Sequence, residues 1–232
     1  MKKLLFTLLT FFIVLSASAH AVFIETSLQG TKGKSHAIKV VYGEPDEHED
    51  TSKWWWYKEG MQISLTLTKP DGSTTSLATT AQGNHLLATF VPDQDGVYHV
   101  SLKRDTERKE GAKTQYQINA IATIQVGNST LGNTAAHLDN ELFVFTDQTA
   151  FKNKKEVVLT LFQKGKPAPH AAVQIIAPTG WIKCLETDEQ GVIKFTPVWK
   201  GKYFAEVSRR EKVEGQAFEE YSRASSMSFA VN

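Results

Sequence analysis

A single cysteine, Cys184, stands in 232 residues. That excludes an intrachain disulfide framework and any zinc or redox site built on paired cysteines. Excess charge of one sign is also missing. The chain carries 26 Lys and Arg against 25 Asp and Glu, a formal net charge of +1. It therefore lacks the basic surplus of a nucleic-acid binder. No stretch places apolar residues at helical spacing. Beyond the N-terminus, no hydrophobic run is long enough to cross a bilayer. There is no Gly-x-Ser-x-Gly elbow and no glycine-rich phosphate loop. Disorder is excluded in turn, because 41% hydrophobic residues is ample for a core. The length suits one large domain or two of about 100 residues.

The N-terminus has its own pattern. Lys2 and Lys3 precede an apolar run from Leu4 to Leu15, and Ser16, Ala17, Ser18 and Ala19 follow. Charge, length and small residues in that order predict a secretory signal peptide over residues 1–19 and export to the periplasm. Two cleavage positions fit. Cleavage after Ala19 leaves His20 first, able to offer both amine and imidazole to one metal ion. Cleavage after Ala21 leaves Val22 first and removes that chelate.

Short runs of apolar alternation fill the remainder. The first half has them at Val22–Thr26, Ala37–Tyr42, Gln62–Thr68, Thr74–Ala78, His85–Val91, Val97–Lys103 and Gln117–Val126. The second half has Leu142–Phe145, Val157–Phe162, Ala172–Ala177, Ile182–Glu186, Val192–Thr196, Tyr203–Ser208 and Ser226–Val231. Gly, Pro, Asn and Asp turns divide them. Seven strands per half predict an all-β chain of two tandem immunoglobulin-like or transthyretin-like β-sandwich domains. The expected units are 20–127 and 140–232, joined by a Gly/Asn/Ser/Thr-rich linker over 128–139.

A faint repeat supports duplication. Gly96-Val97-Tyr98 matches Gly201-Lys202-Tyr203 at an offset of 105, and Pro70-Asp71-Gly72 matches Pro178-Thr179-Gly180 at 108. Each Gly-x-Tyr opens a strand that runs toward a charged stretch, Arg104–Lys113 or Arg209–Glu220, read as a loop. Asp93 to Tyr98 reads as a tyrosine corner. Thr187-Asp188-Glu189-Gln190-Gly191 reads as a turn that needs a positive φ at Gly191 and leads Phe195 into the core.

The order of these features resembles a family of exported bacterial proteins assigned to periplasmic nickel and cobalt uptake. The motifs are Ala19-His20-Ala21, then Val22-Phe23-Ile24-Glu25, then Val40-Val41-Tyr42-Gly43-Glu44-Pro45. The Pro70 hairpin and the Gly96 strand follow, then Gly165-Lys166-Pro167 to Val173 and the Thr187 turn. The resemblance spans nearly the whole mature chain. It implies a non-enzymatic accessory protein that binds a nickel or cobalt ion or passes it to a membrane or outer-membrane transporter. One position departs: the family places a His directly after Ala-His-Ala, and this chain has Val22.

Several residues are candidates for such a role. Glu44-Pro45-Asp46-Glu47-His48-Glu49-Asp50 gathers five carboxylates and one imidazole in seven residues. Oxygen donors with an imidazole suit a divalent ion. The metal candidates are His20, Glu47, His48 and Glu49, with His85 and His99 joining them if their strands are neighbours. The plain alternative is a solvated acidic loop, with His85 and His99 solvated on outward faces. Trp54-Trp55-Trp56-Tyr57 cannot all enter one core, because side chains alternate along a strand. These four aromatics are candidates for a protein-partner or glycan surface, the alternative function of a metal-free module. A further alternative is copper handling through a mature N-terminal His. Cys184, alternating with apolar neighbours, reads as a buried, inert thiol.

Overall fold

The computed structural model describes residues 21–44, 49–54 and 63–232. In chain order the strands of the first half are β1 (Ala21–Thr26), β2 (Gln29–Gly30), β3 (His36–Gly43), β4 (Ser64–Thr68), β5 (Thr74–Ala78), β6 (Thr80–Gln82), β7 (His85–Phe90), β8 (Gly96–Asp105) and β9 (Thr114–Val126). Those of the second half are β10 (Leu142–Phe145), β11 (Val157–Gln163), β12 (Lys166–Pro167), β13 (Ala172–Ile176), β14 (Ile182–Glu186), β15 (Val192–Phe195), β16 (Gly201–Lys212) and β17 (Glu220–Val231). The described residues contain no α-helix, only two short 3₁₀ turns at Thr51–Lys53 and Ala135–His137. The all-β sandwich fold is therefore observed.

The strands form three sheets. The central one runs β14-β13-β16-β17-β9-β8-β4-β5, with β2 added beside β9. It spans both halves of the chain, because β17 pairs in parallel with β9 from Glu220↔Thr114 to Met227↔Ile121. All other long pairings are antiparallel. A second sheet, β1-β3-β7-β6, and a third, β10-β11-β12 with β15 on β11, cover the central sheet.

Alternation sends the two cores to opposite faces. Tyr98, Val100 and Leu102 of β8 join Ala120, Ala122 and Ile124 of β9 against Ile24, Ile38, Val40 and Leu86 of the second sheet. Tyr203, Ala205 and Val207 of β16 join Met227 and Phe229 of β17 against Val144, Leu159 and Ile193 of the third. Met227 is level with Ile121, whose side chain lies opposite to those of Ala120 and Ala122 on β9. The covering sheets thus flank the shared sheet on opposite sides. The open edge of β1 leans on β17, where the Ser226 and Ser228 hydroxyls donate to the carbonyls of Val22 and Ile24. Phe23 packs on Phe204 there, ring centroids 4.5 Å apart.

The duplicated motifs occupy equivalent places. Tyr98 Oη accepts from the N–H groups of Asp93 and Gln94 at 3.2 and 3.1 Å, as a tyrosine corner requires. Tyr203 Oη accepts from Trp199 N–H at 3.2 Å and donates to its carbonyl at 3.0 Å. Gly191 has φ 74°, and Phe195 is buried. The charged stretches differ from the sequence expectation. β8 and β16 continue to Asp105 and Lys212, so each stretch opens as hairpin strand and its loop is confined to residues 106–113 and 213–219. Cross-strand pairs such as Arg210–Glu220, 3.4 Å apart, let charged residues occupy a solvated ladder. The hairpin tips are neighbours, joined by Lys113–Glu219 at 3.0 Å.

Residues 128–139 run back over the face of β8 and β9 that the first core leaves open. Val97 N–H donates to Leu131 O at 2.8 Å. Asn140 Nδ2 donates to Leu102 O at 2.8 Å, and Lys103 pairs with Asp139 at 2.9 Å.

Candidate functional site

The acidic loop leaves the second sheet at one corner. Ala21 pairs with Gly43, so β1 begins opposite the residue before Glu44. Glu49 N–H donates to Tyr42 O at 2.8 Å, which brings the loop back beside the strand it left. Asp50 Oδ1 then accepts from Ser52 N–H at 3.0 Å and caps the Thr51–Lys53 turn. Thr51 N–H donates to Gly83 O at 2.9 Å, tying that turn to the β6–β7 hairpin.

Trp54 follows and is 1% exposed. Its indole N–H donates to Glu49 O at 3.1 Å, and its ring meets Tyr42 edge-on at 5.9 Å. Trp54 is therefore a plug of the first core and no part of an exposed aromatic surface. This corrects its place in the aromatic run: alternation had to bury some of those rings, and the loop's return buries this one. His20, Glu47, His48, Trp55, Trp56 and Tyr57 lie outside the described residues.

His85 and His99 are not brought together. His85 starts β7 on the outer face of the second sheet, with Nδ1 3.1 Å from Asn84 Oδ1. His99 lies on the opposite face of the central sheet and is fully buried. A sandwich thickness of about 10 Å separates two such faces. His99 Nδ1 is 3.2 Å from Thr123 Oγ1 and Nε2 is 3.1 Å from Gly132 O. Burial pulls its pKa down to about 4, so the ring is neutral and both nitrogens are engaged. The expected outward direction is right, but residues 128–139 and Phe145 cover that face. His99 is therefore structural.

Glu206 of β16 was not singled out by the sequence, where it is one charge among Phe204, Ala205 and Val207. Burial and, next, the Glu44 carboxylate push its pKa up to about 7. Glu44 and Glu206 thus bring two carboxylates to the corner where the acidic loop begins. His170, one of seven scattered histidines, stands in no sequence motif. Its left-handed backbone, φ 52°, turns the ring between Glu186 and Glu189, at 3.3 and 3.2 Å. The Glu186 hydrogen bond, then the charge of Glu189, raise its pKa. With a carboxylate on each nitrogen, this is an ion-pair bridge on the surface. Among the described residues, no group of three or more His, Cys, Asp or Glu is arranged to hold a metal ion.

Cys184 is exposed, against expectation. β14 is the outermost strand of the central sheet, and Cys184, paired with exposed Gln174, lies on the face opposite to Leu185, which packs on the second core. Trp181 and Trp199 form a second unforeseen feature, an exposed edge-on pair 5.9 Å apart. The described residues include no helix long and apolar enough to cross a membrane.

No curated protein matches the sequence significantly. Among solved structures, the chain is similar to the native E. coli alpha-2-macroglobulin at 12% identity and TM-score 0.29, over 92% of this chain and 14% of that one. Salmonella alpha-2-macroglobulin, as the mutant Y1175G, gives 11% identity and TM-score 0.28 over 90% and 14%. The chain thus spans about a seventh of the length of those proteins. A segment of two fibronectin type-III domains from chicken tenascin gives 14% identity and TM-score 0.26 over 89% and 97%. The model of a family described as a domain of unknown function, DUF4198, matches residues 17–211, and the chain belongs to that family.

Proposed function

We propose that this member of the DUF4198 family is a non-enzymatic, exported accessory protein of transition-metal uptake, nickel or cobalt first. Its cargo ion would bind where the start of β1 meets the acidic loop. The observation that carries the reading is the Ala21↔Gly43 pairing. His20 is covalently next to Ala21, and Glu44 is next to Gly43. A chain cleaved after Ala19 therefore begins beside the entrance to the loop that holds Glu47, His48 and Glu49. An amine, two imidazoles and carboxylates form a donor set suited to a borderline divalent ion. Glu206, sharing that corner with Glu44, adds a partly desolvated carboxyl that a cation would favour in its ionised form.

Burial at the start of β1 supports cleavage after Ala19. Val22 is 4% exposed, and its carbonyl accepts from Ser226. Cleavage after Ala21 would put an α-ammonium on that buried residue, which is costly. Cleavage after Ala19 keeps the charge two residues upstream. His85 and His99 have no part in this reading.

Native mass spectrometry of the protein from its export compartment tests it in one spectrum. The expected species starts at His20 and carries one nickel or cobalt ion; one copper ion instead would move the assignment to copper handling. Replacing His20 and His48 by Ala should abolish the adduct. A chain starting at Val22 that takes up no ion on incubation would end the metal reading.

A further inference from the structure

The second tyrosine corner carries a surface that its counterpart in the first half lacks. Trp181 is 50% exposed, Ile182 56%, Val198 58% and Trp199 37%. Trp181 lies between the Pro178–Gly180 turn and the first residue of β14, and Val198-Trp199 lies in the corner that Tyr203 holds. The two tips touch: a β-carbon on Gly201 would lie 2.7 Å from Pro178 Cγ. The turn Lys152–Lys155 joins the same end, through Lys154 N–H to Pro197 O at 3.0 Å. Lys152, Lys154, Lys155 and Lys200 are exposed there, with Glu156 the acid of that run.

The duplication supplies an internal control. In the first half, Gly96 meets Pro70 at 2.6 Å by the same measure, and Tyr98 holds Gln94 as Tyr203 holds Trp199. At the repeat offsets, Val198-Trp199-Lys200 corresponds to Asp93-Gln94-Asp95, and Trp181-Ile182 to Ser73-Thr74. The corner is thus built equally well from acidic and polar residues. Its fold does not explain two exposed tryptophans, an exposed Val and an exposed Ile, or their lysine rim.

We infer that this end of the C-terminal half is a docking surface for an anionic lipid bilayer, with Trp181 and Trp199 entering the headgroup layer and the Lys152–Lys155 turn and Lys200 facing lipid phosphates. The charge pattern argues for this occupant. Tryptophan prefers the interface between hydrocarbon and water. A lysine is attracted to an anionic surface, an effect that falls off within a Debye length. Rigidity helps, because Tyr203 fixes the Trp199 backbone and no ordering of the loop is needed on contact. The inference is independent of the metal reading, since this end is separate from the corner at Glu44.

Co-sedimentation of the processed, exported chain with vesicles tests it. Retention is expected on vesicles containing phosphatidylglycerol, is lost in high salt, and is absent on phosphatidylcholine alone. Changing Trp181→Gln and Trp199→Gln together should weaken partitioning at least about tenfold, as should Lys152→Gln, Lys154→Gln and Lys155→Gln together. Both tryptophans are exposed, so the melting temperature should hold; if it falls, Trp181→Phe with Trp199→Phe and quenching by brominated lipid replace that arm. Metal occupancy should be unchanged in every variant, which separates this test from the previous one. Failure of the parent chain to bind anionic vesicles overturns the proposal. So does binding undiminished by the tryptophan changes, or retention by a glycan or a protein in place of lipid.

Discussion

His99 and Glu206 are both held neutral by burial, one by losing its proton early and one by keeping it late. Their effects on stability run in opposite directions. The folded pKa of His99 is about 4, below its ordinary 6.5. The unfolded chain therefore takes up that proton first. The stabilisation is complete above pH 6.5 and is lost as pH falls toward 4, at most about 3 kcal/mol. Glu206 is raised from 4.5 to about 7, so its contribution is present below pH 4.5 and is lost as pH rises through 7. Between pH 4.5 and 6.5 the two slopes oppose each other. Denaturant unfolding across that range should show stability rising with pH in Glu206→Gln, relative to the parent chain, and falling with pH in His99→Gln. A parent-like profile in both variants would mean that neither group is held as described. Trp54 gives a second residue-level prediction. Its ring fills the end of the first core, so Trp54→Ala should cost about 3–5 kcal/mol and Trp54→Phe much less, read as a shift in the denaturant midpoint. An unshifted midpoint in Trp54→Ala would return this ring to the surface.

Among elements, the two tyrosine corners show what the repeat encodes. Gly96 has φ 141° and Gly201 φ 127°, and a β-carbon on either would collide with the proline of the preceding hairpin turn. Gly96→Ala and Gly201→Ala should therefore destabilise alike, by about 1–3 kcal/mol each, as measured by thermal unfolding. A neutral result at one would break the equivalence of the halves. Most strands were legible because local alternation and turn residues specify them without reference to the rest of the chain. Ser64–Thr68, Thr74–Ala78 and Ile182–Glu186 need only their own sequence and their flanking turns. Coverage was not legible. Nothing near Cys184 says that β14 is an outermost strand, and nothing near His99 says that residues 128–139 return over it. Glu206 was missed for the same reason, because its partner Glu44 is 162 positions away and meets it only through the stacking of β1 and β3 on β16 and β17.

At the scale of the whole molecule, the parallel junction of β9 and β17 makes one sheet out of a duplicated chain. Its polar side is a connected network. Arg223 is 5% exposed. Its Nε donates to Gln117 Oε1 at 3.1 Å, its Nη1 to Glu211 at 2.7 Å, and its guanidinium stacks 4.0 Å from the Tyr221 ring. Gln117 donates in turn to Asp105 at 2.9 Å, and Asn119 to Ala224 O at 3.2 Å. Lys164 also pairs with Glu211, so removing Arg223 does not strand that carboxylate. It does leave Gln117 without its charged donor, and the loss should be about 2–3 kcal/mol, below the full cost of breaking a buried pair. The shared ladder has a further consequence. Two tandem sandwiches on a free linker would unfold independently, whereas halves joined by a sheet and a covered linker should unfold together. Pulse-labelled hydrogen exchange read on β3 and β7, and separately on β13 and β16, should therefore lose protection at one denaturant concentration. In Arg223→Ala the two midpoints should separate, with the weaker half opening first. Separate midpoints already in the parent chain would mean that each sandwich is stable alone and that the β9–β17 seam contributes contact without cooperativity.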